Sequence, residues 1–381
     1  MDSPELRLSL HPAIAEIPAA EWDACAGDNP FVSHAFLSAV EESGSASAKT
    51  GWLPQHLALR DAGGELVACA PAYAKSHSYG EYVFDHGWAQ AYEQAGGRYY
   101  PKLQVAVPFS PVPGPRLLRR PGVPVAALAQ GLAQAMGALK FSSTHITFCT
   151  REEWEALGEA GWLQRIGVQF HWQNQGFSDF DDFLGALSSR KRKTLKRERR
   201  AVAESGLTLK TLRGAEITPA HWAAFNRFYR NTVDARWGSA YLTKAFWPLL
   251  GEKLGDRVVL MWAERDGKPV AGALNLLGGE ALYGRNWGCD EEVPFLHFEL
   301  CYLRAIDFAI AHGIGRVEAG AQGEHKIQRG YLPAMTYSAH LIAHRGLSDA
   351  VARFLEHERP AIEERMAELA TLSPYRREGE A

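Results

Sequence analysis

What most constrains this chain is that it contains itself twice. Ile17, Ala20 and Trp22 in IPAAEW return as Ile217, Ala220 and Trp222 in ITPAHW, 200 residues later. LALRDAGGELVACAPAYA (57–74) is echoed by LMWAERDGKPVAGALNLL (260–277): an apolar run, a turn with Asp and Gly, Val-Ala and a second apolar run, the pattern of a β-hairpin. YVFDHGW (82–88) and LYGRNWG (282–288) follow as aromatic third strands. Each copy then offers a helix and a strand, VAALAQGLAQAMGAL before THITFC and LHFELCYLRAIDFAIAHG before GRVEAGA. One order of helix, hairpin, strand, helix and strand met twice predicts two α/β domains with mixed sheets. The pattern places the first at 1–165 and the second at 166–345, with a C-terminal helix, interrupted at Pro360, and a tail over 346–381.

The chain of 381 residues, 46% of them hydrophobic, is long enough to bury two cores. Its 41 Lys and Arg against 44 Asp and Glu leave a formal charge of −3, so no attraction of the whole molecule to DNA or anionic lipid is expected. The five cysteines are scattered and odd in number, with no C-x-x-C, which fits a reducing cytoplasm better than a disulfide framework or a zinc ribbon. The first residues lack a signal-peptide pattern and no stretch approaches 18 uninterrupted apolar residues, so neither export nor membrane spanning is expected.

Between the copies, FDDFLGALSSRKRKTLKRERRAVAESG (180–206) has helical character and ends at a glycine. Eight of the eleven residues from Arg190 to Arg200 are basic. Helical spacing sets Arg190, Lys193 and Arg197 near one face, open either as a solvated linker or as a grip on the phosphates of RNA, a nucleotide or coenzyme A.

The chemistry-bearing residues gather in the second copy. Arg285, Asn286 and Trp287 interrupt an apolar strand in GRNWG, and His297 and Glu299 open an apolar helix. EAGAQGEHKIQRGY (318–331) then crowds Glu318, Gln322, Glu324, His325, Lys326, Arg329 and Tyr331 behind a strand. Ligands of α/β sheets bind off the carboxyl ends of strands, where this segment hangs, and ionisable groups of both signs suit acid–base chemistry there. Glu318 or Glu324, or His325, is a candidate base, with the Gly320–Gly323 turn offering N–H groups to an oxyanion and Lys326 and Arg329 binding an anion. No H-E-x-x-H or similar spacing joins the histidines, so no metal is expected, and G-x-S-x-G, a P-loop and a dinucleotide fingerprint are all missing. The first copy holds no comparable run of ionisable residues, which marks it as a structural partner or an acceptor-binding half.

KRKTLKRERR, YGRNWGC, LHFELCYLRAIDFAI and EAGAQGEHKIQRGYLPAMTYSAH together resemble the FemAB-like N-acyltransferases of the GNAT superfamily, a peptidoglycan biosynthesis or recognition group. The resemblance covers nearly the whole chain. It implies two GNAT-like domains in tandem and transfer of an acyl or aminoacyl group from acyl-CoA or aminoacyl-tRNA, as a donor substrate rather than a tightly bound cofactor, to an amine, a peptidoglycan precursor or an amino-acid-like acceptor. It also implies contact of the basic helix with tRNA, and it sets His325 and Lys326 at the position of the related ligases' late F-K element. Acetyl-CoA is not implied: the loop [QR]-x-x-G-x-[GA] is matched in full only by RREGEA at the terminus, and QNQGFS (173–178) departs from it at Ser178. A module that binds a glycopeptide or nucleotide without turnover is the alternative.

Overall fold

A computed structural model describes residues 6–235, 238–320 and 323–376. In chain order the first half holds β1 (Arg7–His11), α1 (Ala19–Ala26), α2 (His34–Glu42), β2 (Trp52–Pro54), β3 (His56–Arg60), β4 (Leu66–Ala70), β5 (Ala72–Lys75), α3 (His86–Gln94), β6 (Lys102–Val105), β7 (Leu118–Arg119), α4 (Val125–Ala138), β8 (Ser143–Cys149), α5 (Arg151–Glu159) and β9 (Leu163–Gln173). Then come α6 (Phe180–Ala186), α7 (Ser189–Ala203), β10 (Thr208–Arg213), α8 (Pro219–Asp234), α9 (Phe246–Leu254), β11 (Val258–Arg265), β12 (Lys268–Leu277) and β13 (Ala281–Cys289). A helical run of α10 (Leu296–Phe298), a π-helical turn Glu299–Leu303 and α11 (Arg304–Ala311) leads to β14 (Arg316–Glu318), a 3-10 turn Glu324–Arg329, β15 (Leu332–Ile342) and α12 (Arg345–Thr371).

Two compact units result: residues 1–167 with 335–364, and residues 168–334 with 365–381. The units are therefore not two sequential halves, because most of β15 and most of α12 fall with the first. Within the first unit, β1, β3, β4 and β7 form one antiparallel sheet. A second sheet there runs β2-β5-β6-β8, with β6 and β8 parallel, and residues 337–342 of β15 close it against β8. In the second unit the order is β10-β11-β12-β13-β14, antiparallel except for β13 and β14, and residues 171–173 of β9 close it against β14.

The repeat is visible in the elements. A 3-10 turn precedes the first helix of each copy, at Ile14–Glu16 and Gly214–Glu216, and the matched Trp22 and Trp222 are both buried in the helices that follow. Both hairpins form as the turn chemistry requires. Asp266 and Gly267 hold φ of 51° and 73°, the left-handed pair of a two-residue turn, while Asp61 accepts from Glu65 N at 3.0 Å in the longer loop.

Three expectations are corrected. YVFDHGW is no strand: Tyr82 takes a φ of 61°, Asp85 is drawn inward to Lys102, and α3 begins at His86, so β5 and β6 stand in the third-strand place. The basic segment is two helices, because Leu187 turns into the core with an extended backbone and pairs with Tyr375. And α12 continues through Pro360. Apolar side chains of the hairpins, α4 and β8 pack into one core, and those of β11–β13, the 296–311 helix and α7 into another.

Candidate active site

In the second unit, β13 and β14 are parallel and paired for only three residues, Ala281–Tyr283 with Arg316–Glu318. At that point Arg285 enters as the extra residue of a β-bulge: Asn275 faces Gly284 and Leu274 faces Asn286. Gly284 is needed there, since a Cβ would sit 3.2 Å from the Glu318 carbonyl and 3.3 Å from the Asn275 side chain. Beyond the bulge the two chains part. Arg285, Asn286 and Trp287 are half-buried in mid-strand; Asn286 and Trp287 pair with β12, and among the described residues no second strand pairs with this stretch on its other edge.

A shell of rings faces the opening. His297 lies 5.1 Å from Trp287 and 5.4 Å from Tyr302, and His325 lies 5.8 Å from both Phe298 and Tyr302. Tyr302, on the π-helical turn that interrupts the helix, has its hydroxyl 3.1 Å from His325 Nε2, and its carbonyl accepts from the buried Tyr331 hydroxyl at 3.1 Å. Lys326 is only 2% exposed and donates to the Gly320 carbonyl at 2.9 Å. Burial presses its pKa down to about 8, with Arg285 adding repulsion against the opposing influence of Cys301. Burial, Lys326 and Arg329 likewise lower His325, so its imidazole is neutral at pH 7.

The model of the FemAB-like family, described as peptidoglycan biosynthesis/recognition, matches residues 13–377. The chain belongs to the FemAB-like family. Solved structures of similar fold include FemX (TM-score 0.57, 10% identity, 91% of this chain and 100% of that one) and L-PGS from Bacillus licheniformis (0.52, 10%, 84% and 95%). A conserved protein of unknown function from Bacteroides thetaiotaomicron is another (0.52, 11%, 88% and 100%). No curated protein matched the chain in sequence. Family and fold support acyl or aminoacyl transfer in general, and the architecture is the expected tandem GNAT-like one.

Within this FemAB-like frame the residues singled out from sequence divide. Trp287, His297 and His325 lie in ring contact in series, Lys326 lies near Arg285, and the Tyr331 hydroxyl bonds the Tyr302 carbonyl. Glu318 is buried at the end of β14, where Arg316 donates to it at 2.9 Å and His171 stands 3.9 Å away. Glu324 is exposed and paired with Arg365, so it turns from the opening. Glu299 and Arg329 fasten α7 instead. Arg199 reaches Glu299 at 3.2 Å and Asp307 at 2.6 Å, while Glu198 holds Arg329 at 2.9 Å. The Arg329 guanidinium also lies 3.4 Å over the Phe298 ring. The ion-pair partners of Glu318, Glu324 and Arg329 thus come from outside 318–331, whereas Lys326 donates within it. Gln322 lies outside the described residues.

Helix α7 turns Leu195, Glu198 and Val202 inward and leaves Arg190, Lys193 and Arg197 exposed on the outer face, with no ion pair among the described residues. Among the described residues no helix is long and apolar enough to cross a membrane, and no cluster of His, Cys, Asp or Glu is arranged to hold a metal.

Proposed function

We propose that this chain transfers an acyl or aminoacyl group from an activated ester or thioester to an amine, at the opening between β13 and β14. The observation that carries the reading is Lys326: an ammonium kept almost out of water and near Arg285 of β13. An amine attacks a carbonyl only when neutral, and the attack places negative charge on the carbonyl oxygen. The neutral imidazole of His325, oriented by the Tyr302 hydroxyl, takes the proton; as the tetrahedral intermediate collapses and the ester or thioester bond breaks, the imidazolium returns it to the departing alkoxide or thiolate. The Lys326 ammonium and backbone N–H groups of β13 beyond the bulge stabilise the oxyanion in a site of low dielectric. Arg285 and Asn286 bind polar groups of the substrate, and Trp287 and His297 supply ring faces.

Glu318, held by Arg316, sets the end of β14 rather than acting as the base, and Glu299 and Arg329 position α7. For the donor we favour aminoacyl-tRNA, because Arg190, Lys193 and Arg197 present three uncompensated charges on one helix face, as phosphate recognition needs. The acceptor is an amine of a peptidoglycan precursor, which the family's description supports. The test is a mass-spectrometric screen of the protein and its Lys326→Met variant with aminoacyl-tRNAs, acyl-CoAs and candidate amines. Product formation lost in the variant is expected; binding without any turnover in the unaltered protein would make the chain a recognition module.

A further inference from the structure

In the first unit, Lys75 on β5 and Lys102 on β6 are register partners on adjacent antiparallel strands, and both are fully buried. Like charges set opposite one another in a sheet repel, and burying an ammonium is costly. Apolar side chains would serve stability better, as Leu103 and Val105 do on the same strand. What holds the two ammonium groups is the loop 76–85. Lys102 donates to Ser78 Oγ at 2.8 Å, to Glu81 at 2.7 Å and, closely, to Asp85.

The match is incomplete. Glu81 Oε1 and Asp85 Oδ1 are buried without a hydrogen-bond partner among the described residues. Among the described residues Lys75 donates only to the Tyr79 carbonyl, at 3.3 Å; its nitrogen lies 3.8 Å over the Trp52 ring and 3.9 Å from Glu81. Burial presses Lys75 down to about 7 and Glu81 up to about 7. The loop is anchored by charge rather than by its apolar side chains, since Tyr79 and Phe84 are each 60% exposed and form an outer ring cluster with His86, at 5.7 and 6.2 Å.

We propose that Lys75 and Lys102 form a binding site for a dianionic group, a diphosphate or a dicarboxylate carried by a larger ligand, and that loop 76–85 plugs this site with Glu81 and Asp85 when the ligand is absent. The two negative charges of the ligand replace those of the two carboxylates, so the buried charge stays balanced while Glu81 and Asp85 return to water. The exposed rings of Tyr79 and Phe84 are then free to lie against the body of the ligand. This site is independent of the transfer chemistry assigned to the second unit.

Calorimetric titration of the full chain with inorganic diphosphate and, separately, malonate, combined with amide hydrogen exchange of 76–85, tests the proposal. Saturable binding of either anion with faster exchange of the loop is expected, diphosphate assigning a phosphate-borne ligand and malonate a carboxylate-borne one. Glu81→Gln removes a competing charge and should tighten binding by roughly fivefold or more, as relief of a self-occupied state does. Lys75→Met should abolish binding. Failure of both anions to bind the unaltered protein and Glu81→Gln, or undiminished binding to Lys75→Met, would reduce the cluster to a structural latch and overturn the proposal.

Discussion

Lys326→Met should make the protein more stable and much slower. In the folded chain Lys326 is 2% exposed, and burial with repulsion from Arg285 lowers its pKa from 10.5 to about 8. A difference of about 2.5 units sets a penalty of about 3 kcal/mol on folding with the charged form at neutral pH. Methionine keeps the length and packing of the stem and removes the charge. It also removes the 2.9 Å bond to the Gly320 carbonyl, a loss of about 1–3 kcal/mol for a charged donor. The net expectation is a stability equal to that of the unaltered protein or up to about 2 kcal/mol above it. Transfer, deprived of the cation facing the developing oxyanion, should slow by about 10²-fold or more. Urea unfolding at several pH values isolates the group. Between about 8 and 10.5 the unfolded lysine still binds a proton that the folded one has released, so stability rises with pH across that window in the unaltered protein. The variant should lack that increment. If Lys326→Met instead loses stability and turnover together, the ammonium is a structural donor to the 320 turn and the proposed chemistry fails.

Three further outcomes follow from the same geometry. If the charged form of Lys326 stabilises the oxyanion, turnover should fall as pH rises through about 8, its folded pKa; a rate that keeps climbing beyond pH 9 would assign the lysine another role. Arg329→Met should behave in the opposite way to Lys326→Met, because it strands buried Glu198 without its cation, and a stability loss of about 3–5 kcal/mol in urea unfolding is expected. Replacing Arg190, Lys193 and Arg197 together by Gln should leave thermal unfolding unchanged, since all three are exposed, while lowering the salt slope of aminoacyl-tRNA binding by about 2–3 units; an unchanged slope would make α7 a solvated helix.

Much of the fold was legible because it was written twice. The Trp22 and Trp222 helices and the two hairpins carry local signals, a helix start and turn residues, that act within ten or so residues of chain. What escaped was set by distant partners. YVFDHGW has a strand's aromatic composition, yet Asp85 inside it answers to Lys102. In the site, Lys326 and His325 lay in a visibly unusual loop. Tyr302 and Phe298 did not stand out, because Phe and Tyr four apart on an apolar helix read as core, and the π-helical turn at Tyr302 leaves no mark in composition. Glu299, Glu324 and Arg329 have one thing in common: a charged side chain in a rich segment pairs with whichever opposite charge the fold brings, here Arg199, Arg365 and Glu198, and sequence spacing does not announce those partners. The lysine pair of the first unit was hidden because Lys75 and Lys102 are separated by a loop and a helix and become neighbours only through strand register.

The two units treat the same topological position in opposite ways, and this is why transfer is placed in the second. There the third strand runs over nine residues and its parallel neighbour stops at Glu318, so among the described residues no second strand pairs with the stretch beyond the bulge. In the first unit β6 ends at Val105 and the chain leaves through VPFSPVPGP, whose four prolines have no N–H to offer an oxyanion. Its neighbour β8 continues to Cys149 with every residue buried and is covered by β15. That place therefore offers fewer backbone N–H groups than the strand end of the second unit. The ionisable groups of the first unit are accordingly turned inward beneath a loop, a placement suited to holding charge still, whereas those of the second stand at a mouth where charge can appear and be met.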